Sequence, residues 1–214
     1  MSLTVLIADD HGIVREGIRA LLENASGINV VGVAENGRQT IELVSKLKPD
    51  LVLMDVAMPE LNGIEATGQL MKAFPKLRIL ALSTHADHRY VSAMLHAGAA
   101  GYLLKDCLFD ELLFAIRAIQ SGQSYLSPAI AHLVLVDFRQ GDAARTTKEP
   151  YLTGREREVL QLLAEGHTMK DVATRLSISV KTVETHRKHI SDKLELRTIT
   201  ELTRYAIREG IISA

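Results

Sequence analysis

Four short apolar runs in this chain end on residues able to do chemistry. "TVLIADD" closes on Asp9 and Asp10, "LVLMD" on Asp55, "ILALS" on Ser83 and "GYLLK" on Lys105. Clustered carboxylates repel one another unless a cation sits among them. All-oxygen ligands with room left for water and phosphate suit Mg2+. Lys105 adds a positive charge and Ser83 a hydrogen-bond donor, both suited to a tetrahedral anion. The inventory is that of a carboxylate that becomes phosphorylated: a nucleophile, a metal, a cationic clamp and a hydroxyl donor. Taken singly, each residue has an ordinary reading as a cap, turn or loop residue. Four strand ends carrying complementary chemistry together make coincidence the weaker account.

These residues meet only if the elements before them form one sheet. Short β-rich runs at Thr4–Ala8, Ile28–Ala34, Leu51–Met54, Ile79–Leu82 and Tyr102–Leu104 alternate with helix-period segments at Ile13–Leu22, Arg38–Leu47, Ile64–Phe74, Tyr90–His96 and Leu108–Ile119. Strands alternating with helices predict an α/β fold, a doubly wound five-stranded parallel sheet with helices on both faces. In strand order 2-1-3-4-5 the ends of strands 1, 3, 4 and 5 are neighbours. Ligand chemistry gathers at that carboxyl edge.

The rhythm stops after Gly122. Residues 123–150 are expected to form a linker, with a short helix at Ala131–Phe138 and the polar stretch "GDAARTTKEP" at 141–150. From 151 to 214 the pattern is helical only. Thr153 with Glu156, and Thr168 with Asp171, mark two capped helix starts. A break at Ser177–Ser179 separates a short helix from a longer one, a helix-turn-helix pattern between flanking helices. On the longer helix, Val183, Ile190 and Leu194 share one face. Lys181, Glu184, Thr185 and Lys188 share the opposite one, which suits base edges and phosphates in the major groove.

A formal net charge of −1 excludes a general attraction to nucleic acid, so DNA binding must come from a local patch. Residues 151–214 hold eleven Lys/Arg against nine Asp/Glu, a small surplus that predicts weak, salt-sensitive binding by one copy and stronger binding by two. The single cysteine, Cys107, rules out an intrachain disulfide. No run approaches the roughly 18–20 apolar residues of a membrane span, and the N-terminus lacks the pattern of a signal peptide. The expected location is the cytoplasm. His186 with His189, and His85 with His88, lack the partners that zinc ligation needs.

"LIADDH", "LVLMDVAMPELNGIEA", "LALS" and "GYLLKD" resemble the receiver domain of two-component response regulators. "LTGREREVLQLLAEG" and "VKTVETHRKHISDKLEL" resemble the LuxR-type DNA-binding domain, and their order is similar to the NarL/FixJ class. The resemblance implies a flavodoxin-like receiver at 1–122 and a small all-α helix-turn-helix domain at 151–214. It implies Asp55 as the phosphoacceptor for a sensor histidine kinase. Asp10 and Asp55 would bind Mg2+ directly, Asp9 through water, and Ala57 through its backbone carbonyl. Lys105 would clamp the phosphoryl group, with Ser83 and Tyr102 as a switch pair. Glu184, Thr185 and Lys188 match base-facing positions, and Lys181, Thr182 and Arg187 phosphate-facing ones. Glu184 would accept from a cytosine amine or orient Lys188. The implied partners are double-stranded promoter DNA, a second copy of the chain through Leu202 and Ala206, and RNA polymerase. A receiver that acts without phosphorylation is the alternative. Met169 departs from the family pattern, which has Asn there. Haloacid-dehalogenase-type phosphatases share the Asp, Mg2+, Ser and Lys set. They place a second Asp two residues after the nucleophile, where this chain has Ala57, so a switch is expected rather than a turnover enzyme.

Overall fold

A computed structural model describes residues 2–84, 86–140 and 152–212. The chain divides into two compact units, Met1–Arg139 and Gln140–Ala214. The polar stretch 141–150 and His85 lie outside the described residues.

The first unit alternates β1 (Leu3–Ala8), α1 (Gly12–Glu23), β2 (Ile28–Ala34), α2 (Gly37–Leu47), β3 (Leu51–Asp55), α3 (Gly63–Ala73), β4 (Arg78–Ser83), α4 (His88–Ala97), β5 (Gly101–Leu104) and α5 (Phe109–Gln120). The strands run parallel in the order β2-β1-β3-β4-β5, the expected one. A sixth strand, β6 (Tyr125–Leu126), pairs with β5 and leads into α6 (Pro128–Gln140). The first part of the expected linker therefore belongs to the sheet unit. Ile130 of α6 is fully buried against the sheet, and Leu133 and Val134 pack beside it.

Strand periodicity sorts the core into two layers. Leu6, Val52, Met54, Ile79, Ala81 and Tyr102 face one side, with Val44 of α2, Leu70 of α3 and Met94 of α4. Val5, Ile7, Leu51, Leu53, Leu80 and Leu103 face the other, covered by Leu22 of α1 and Leu112, Ile116 and Ile119 of α5. Strands apolar on both faces are what a sheet covered on both sides requires. Of Ile18, Leu21 and Leu22, which fall at helical spacing on α1, Ile18 and Leu22 pack on the second layer and Leu21 is exposed.

The second unit comprises α7 (Gly154–Ala164), α8 (Met169–Arg175), α9 (Val180–Leu194) and α10 (Ile199–Arg208). Both expected capping boxes form, Thr153 with Glu156 and Thr168 with Asp171, and a third joins Thr198 and Glu201 at α10. Ser179 caps α9 by accepting from the Thr182 N–H. Val159, Leu160, Leu162, Val172, Val183, Ile190, Leu202 and Ala206 form its core. Met169, where the family pattern has Asn, packs against this core.

Candidate functional site

The carboxyl ends of four strands converge as the sheet order requires. Asp9 follows β1, Asp55 ends β3, Ser83 ends β4 and Lys105 follows β5. Asp9, Asp55 and Ser83 are buried, whereas Asp10 is exposed. Lys105 Nζ stands 2.8 Å from Asp9 Oδ2 and 2.8 Å from Asp55 Oδ2, so one ammonium bridges two carboxylates.

Local backbone geometry aims these groups. The Asp9 N–H donates to Ala34 O at 3.0 Å, its carbonyl accepts from Arg15 Nη1 at 2.7 Å, and its Oδ1 accepts from the His11 N–H at 2.9 Å. After Asp55 the chain folds back, with the Gly63 N–H donating to Val56 O at 2.9 Å. Gly63 stands so close to the Asp55 carbonyl that a Cβ there would overlap its oxygen. Asn62 caps α3 by accepting from the Glu65 N–H at 2.9 Å. Ala57 lies half-buried in the turn after β3.

Burial pushes the Asp55 carboxyl up to about 6; Lys105 opposes that shift, and the charges of Asp9 and Asp10 add to it. Burial works against the Lys105 ammonium, but its pKa is raised because Asp55 and Asp9 outweigh that cost. Burial likewise pushes the Tyr102 phenol up to about 12, against a hydrogen bond from Ser83. The pocket is thus rich in anionic ligands held by a single ammonium.

The donor set fits a hard divalent cation. Asp9, Asp10, His11 and Asp55 each offer a ligand atom, and all of these atoms lie within 4.8 Å of one another. Asp9 Oδ2 is buried and paired with Lys105 by charge, without a well-aligned hydrogen bond. Such an oxygen keeps a lone pair for a metal or its water.

Two residues escaped the sequence reading. His11 Nδ1 lies 2.8 Å from Asp10 Oδ1, at the mouth of the cluster. Arg15, largely buried, ties the Asp9 carbonyl to Glu35 Oε1, 2.8 Å from its Nη2. The available signal was their spacing. His11 directly follows the acidic pair, and Arg15 follows His11 by one helical turn.

On α9, Lys181, Glu184, Thr185 and Lys188 are exposed, and Thr182 and Arg187 half-buried. Glu184 Oε2 accepts from Lys181 Nζ at 3.0 Å, so it pairs one turn back and not with Lys188. Leu202 and Ala206, expected at a contact between copies, are fully buried in the core of their own unit. That expectation is corrected. Both lie on the inward face of α10, and the exposed apolar residues there are Ile199 and Ile207.

Residues 5–117 match the response regulator receiver domain, and residues 150–206 the luxR family of bacterial regulatory proteins. The oxygen regulatory protein NreC of Staphylococcus carnosus is 35% identical over 98% of this chain and 99% of its own. The response regulator GacA of Pseudomonas aeruginosa is 36% identical over 99% of each. Among solved structures, RcsB of Salmonella enterica serovar Typhimurium, bound to promoter rprA in the presence of the phosphomimetic BeF3-, superposes with a TM-score of 0.62. It is 30% identical, with 96% of this chain and 98% of that one covered.

Proposed function

The chain belongs to the NarL/FixJ-class two-component response regulators, and on that premise we propose that phosphorylation of Asp55 controls its binding to DNA. The observation that carries this reading is the Lys105 ammonium, 2.8 Å from both Asp55 and Asp9 at the sheet edge. An Asp55 oxygen attacks the phosphorus of a phosphohistidine on a sensor histidine kinase. The P–N bond breaks as the new P–O bond forms, and the histidine keeps the electron pair. Asp10, Asp55 and the backbone carbonyl of Ala57 would hold Mg2+, with Asp9 acting through water. When bound, that ion would offset the negative charge of the phosphoryl oxygens. Lys105 moves from the carboxylates to the incoming phosphoryl group. Ser83 turns its hydroxyl toward the same group, and Tyr102 repacks behind it.

We assign 1–122 to the receiver and 151–214 to DNA binding. Residues 123–150 connect them, and the first part folds onto the receiver sheet. Glu184, Thr185 and Lys188 face bases, and Lys181, Thr182 and Arg187 face phosphates. Phosphorylation favours a homodimer on adjacent half-sites of promoter DNA in the cytoplasm, where RNA polymerase is the further partner. The RcsB–promoter complex supports this reading.

Intact mass after incubation with Mg2+ and a small phosphodonor tests it, with Asp55→Ala beside the unaltered chain. One added phosphoryl group, absent without Mg2+ and absent in the variant, is expected. No gain in mass, with DNA binding intact in Asp55→Ala, would instead indicate a regulator that works without phosphorylation.

A further inference from the structure

Both threonines on the outer side of α9 have their hydroxyls engaged within the helix. Thr182 Oγ1 shares a 2.8 Å hydrogen bond with Ser179 Oγ at the cap. Thr185 Oγ1 donates to the carbonyl of Lys181 at 2.9 Å. Thr185 is nonetheless exposed, between Glu184 and Lys188 and opposite the buried Val183 and Ile190. A threonine whose oxygen is turned onto the preceding turn presents its other branch, the Cγ2 methyl. The exposed face therefore offers a small apolar knob beside the carboxylate of Glu184, itself paired with Lys181.

The major groove carries one apolar group among its base edges, the C5 methyl of thymine. We propose that Thr185 is a specificity-determining residue that selects thymine by methyl-to-methyl contact. The hydroxyl has one proton, and the Lys181 carbonyl already takes it, so donation to a base acceptor would require that bond to break. Cytosine, the other pyrimidine, lacks the methyl and is disfavoured at the same position. This inference rests on the DNA-binding reading given above for α9.

The test uses the full chain, treated with Mg2+ and a small phosphodonor, to select sites from a pool of random duplexes. Each thymine of a selected site is then replaced by deoxyuridine, which removes only the C5 methyl. Affinities are measured for the unaltered chain, Thr185→Val and Thr185→Ser. At one thymine per half-site, deoxyuridine should weaken the unaltered chain and Thr185→Val about fourfold, the effect of one buried methyl-sized group. Thr185→Ser, which keeps the hydroxyl and loses the methyl, should not distinguish the two bases. A deoxyuridine penalty that persists in Thr185→Ser, or one that is absent from Thr185→Val, overturns the inference while leaving DNA binding intact. A chain that enriches no sequence overturns the DNA-binding reading and this inference with it.

Discussion

Ser83 and Tyr102 share a hydrogen bond between neighbouring strands of the sheet. The register pairs Ala81 with Tyr102 and Ser83 with Leu104, which places Ser83 and Tyr102 diagonally on one face, both buried. In the proposed switch, a Ser83 hydroxyl that turns toward Asp55 gives up its hydrogen bond to the buried Tyr102 phenol. Leaving a buried polar group unsatisfied costs about 1–3 kcal/mol. In the proposed switch, that cost would link the pocket to a repacking of the ring.

Ser83→Ala removes the reorienting hydroxyl and spares the nucleophile. The variant should gain one phosphoryl group as the unaltered chain does, while its DNA affinity rises little on phosphorylation. Parallel intact-mass and DNA-titration measurements check this. An undiminished rise in affinity would place the switch elsewhere.

Lys105→Met leaves the carboxylate cluster without its ammonium. In the absence of divalent cations the variant should be less stable by about 3 kcal/mol, as expected when one partner of a buried ion pair is removed. Mg2+ should restore more stability to this variant than to the unaltered chain, because a ligand stabilises in proportion to its binding. Urea denaturation across a Mg2+ titration reads both effects.

Gly63→Ala drives a methyl into the Asp55 carbonyl, and backbone at that point has little room to yield. A loss of about 3 kcal/mol is expected, at the upper end of overpacking costs. Phosphoryl uptake should fall with it, since the turn after β3 must move. Gly68→Ala, on the same helix with open space around it, is the control and should be neutral or mildly stabilising.

Glu156 ties α7 to α9 and caps its own helix. Burial pushes its carboxyl up, but Lys193 Nζ at 2.7 Å and the Thr153 hydroxyl and N–H outweigh this, so its pKa is lowered from 4.5. A folded pKa below the unfolded one contributes stability above about pH 4.5, and that contribution is lost as pH falls through the folded value. Glu156→Gln should therefore cost about 1 kcal/mol at pH 7, the scale of a lost cap interaction, and the difference should shrink in acid. Denaturation of both proteins at pH 7 and near pH 3.5 tests the sign.

Leu202→Ala should weaken folding of the helical unit by about 2–5 kcal/mol, because it opens a cavity in a closed core. Sedimentation of the folded variant should give the same association behaviour as the unaltered chain. A selective loss of dimers with stability unchanged would reinstate Leu202 as an interface residue.

Much of this protein was legible in its sequence because the signals are local. Strand runs, helix periods and capping pairs such as Thr153 with Glu156 each lie within a few residues, and the parallel order follows from their alternation. The sixth strand was not legible, since two residues, Tyr125 and Leu126, carry no periodicity. Arg15 was missed for a different reason. Its partners, the Asp9 carbonyl and the Glu35 carboxylate, come from separate connections, and no spacing rule joins them.

By itself, the sequence determined which groups stand at the strand ends and which helix faces are polar or apolar. Only the tertiary structure decided that Lys105 bridges Asp9 and Asp55, that Ser83 bonds Tyr102, and that Leu202 and Ala206 turn inward. The physical reason is range. Periodicity and capping are properties of adjacent residues, whereas pairing and burial depend on which distant segments the packed core brings into contact.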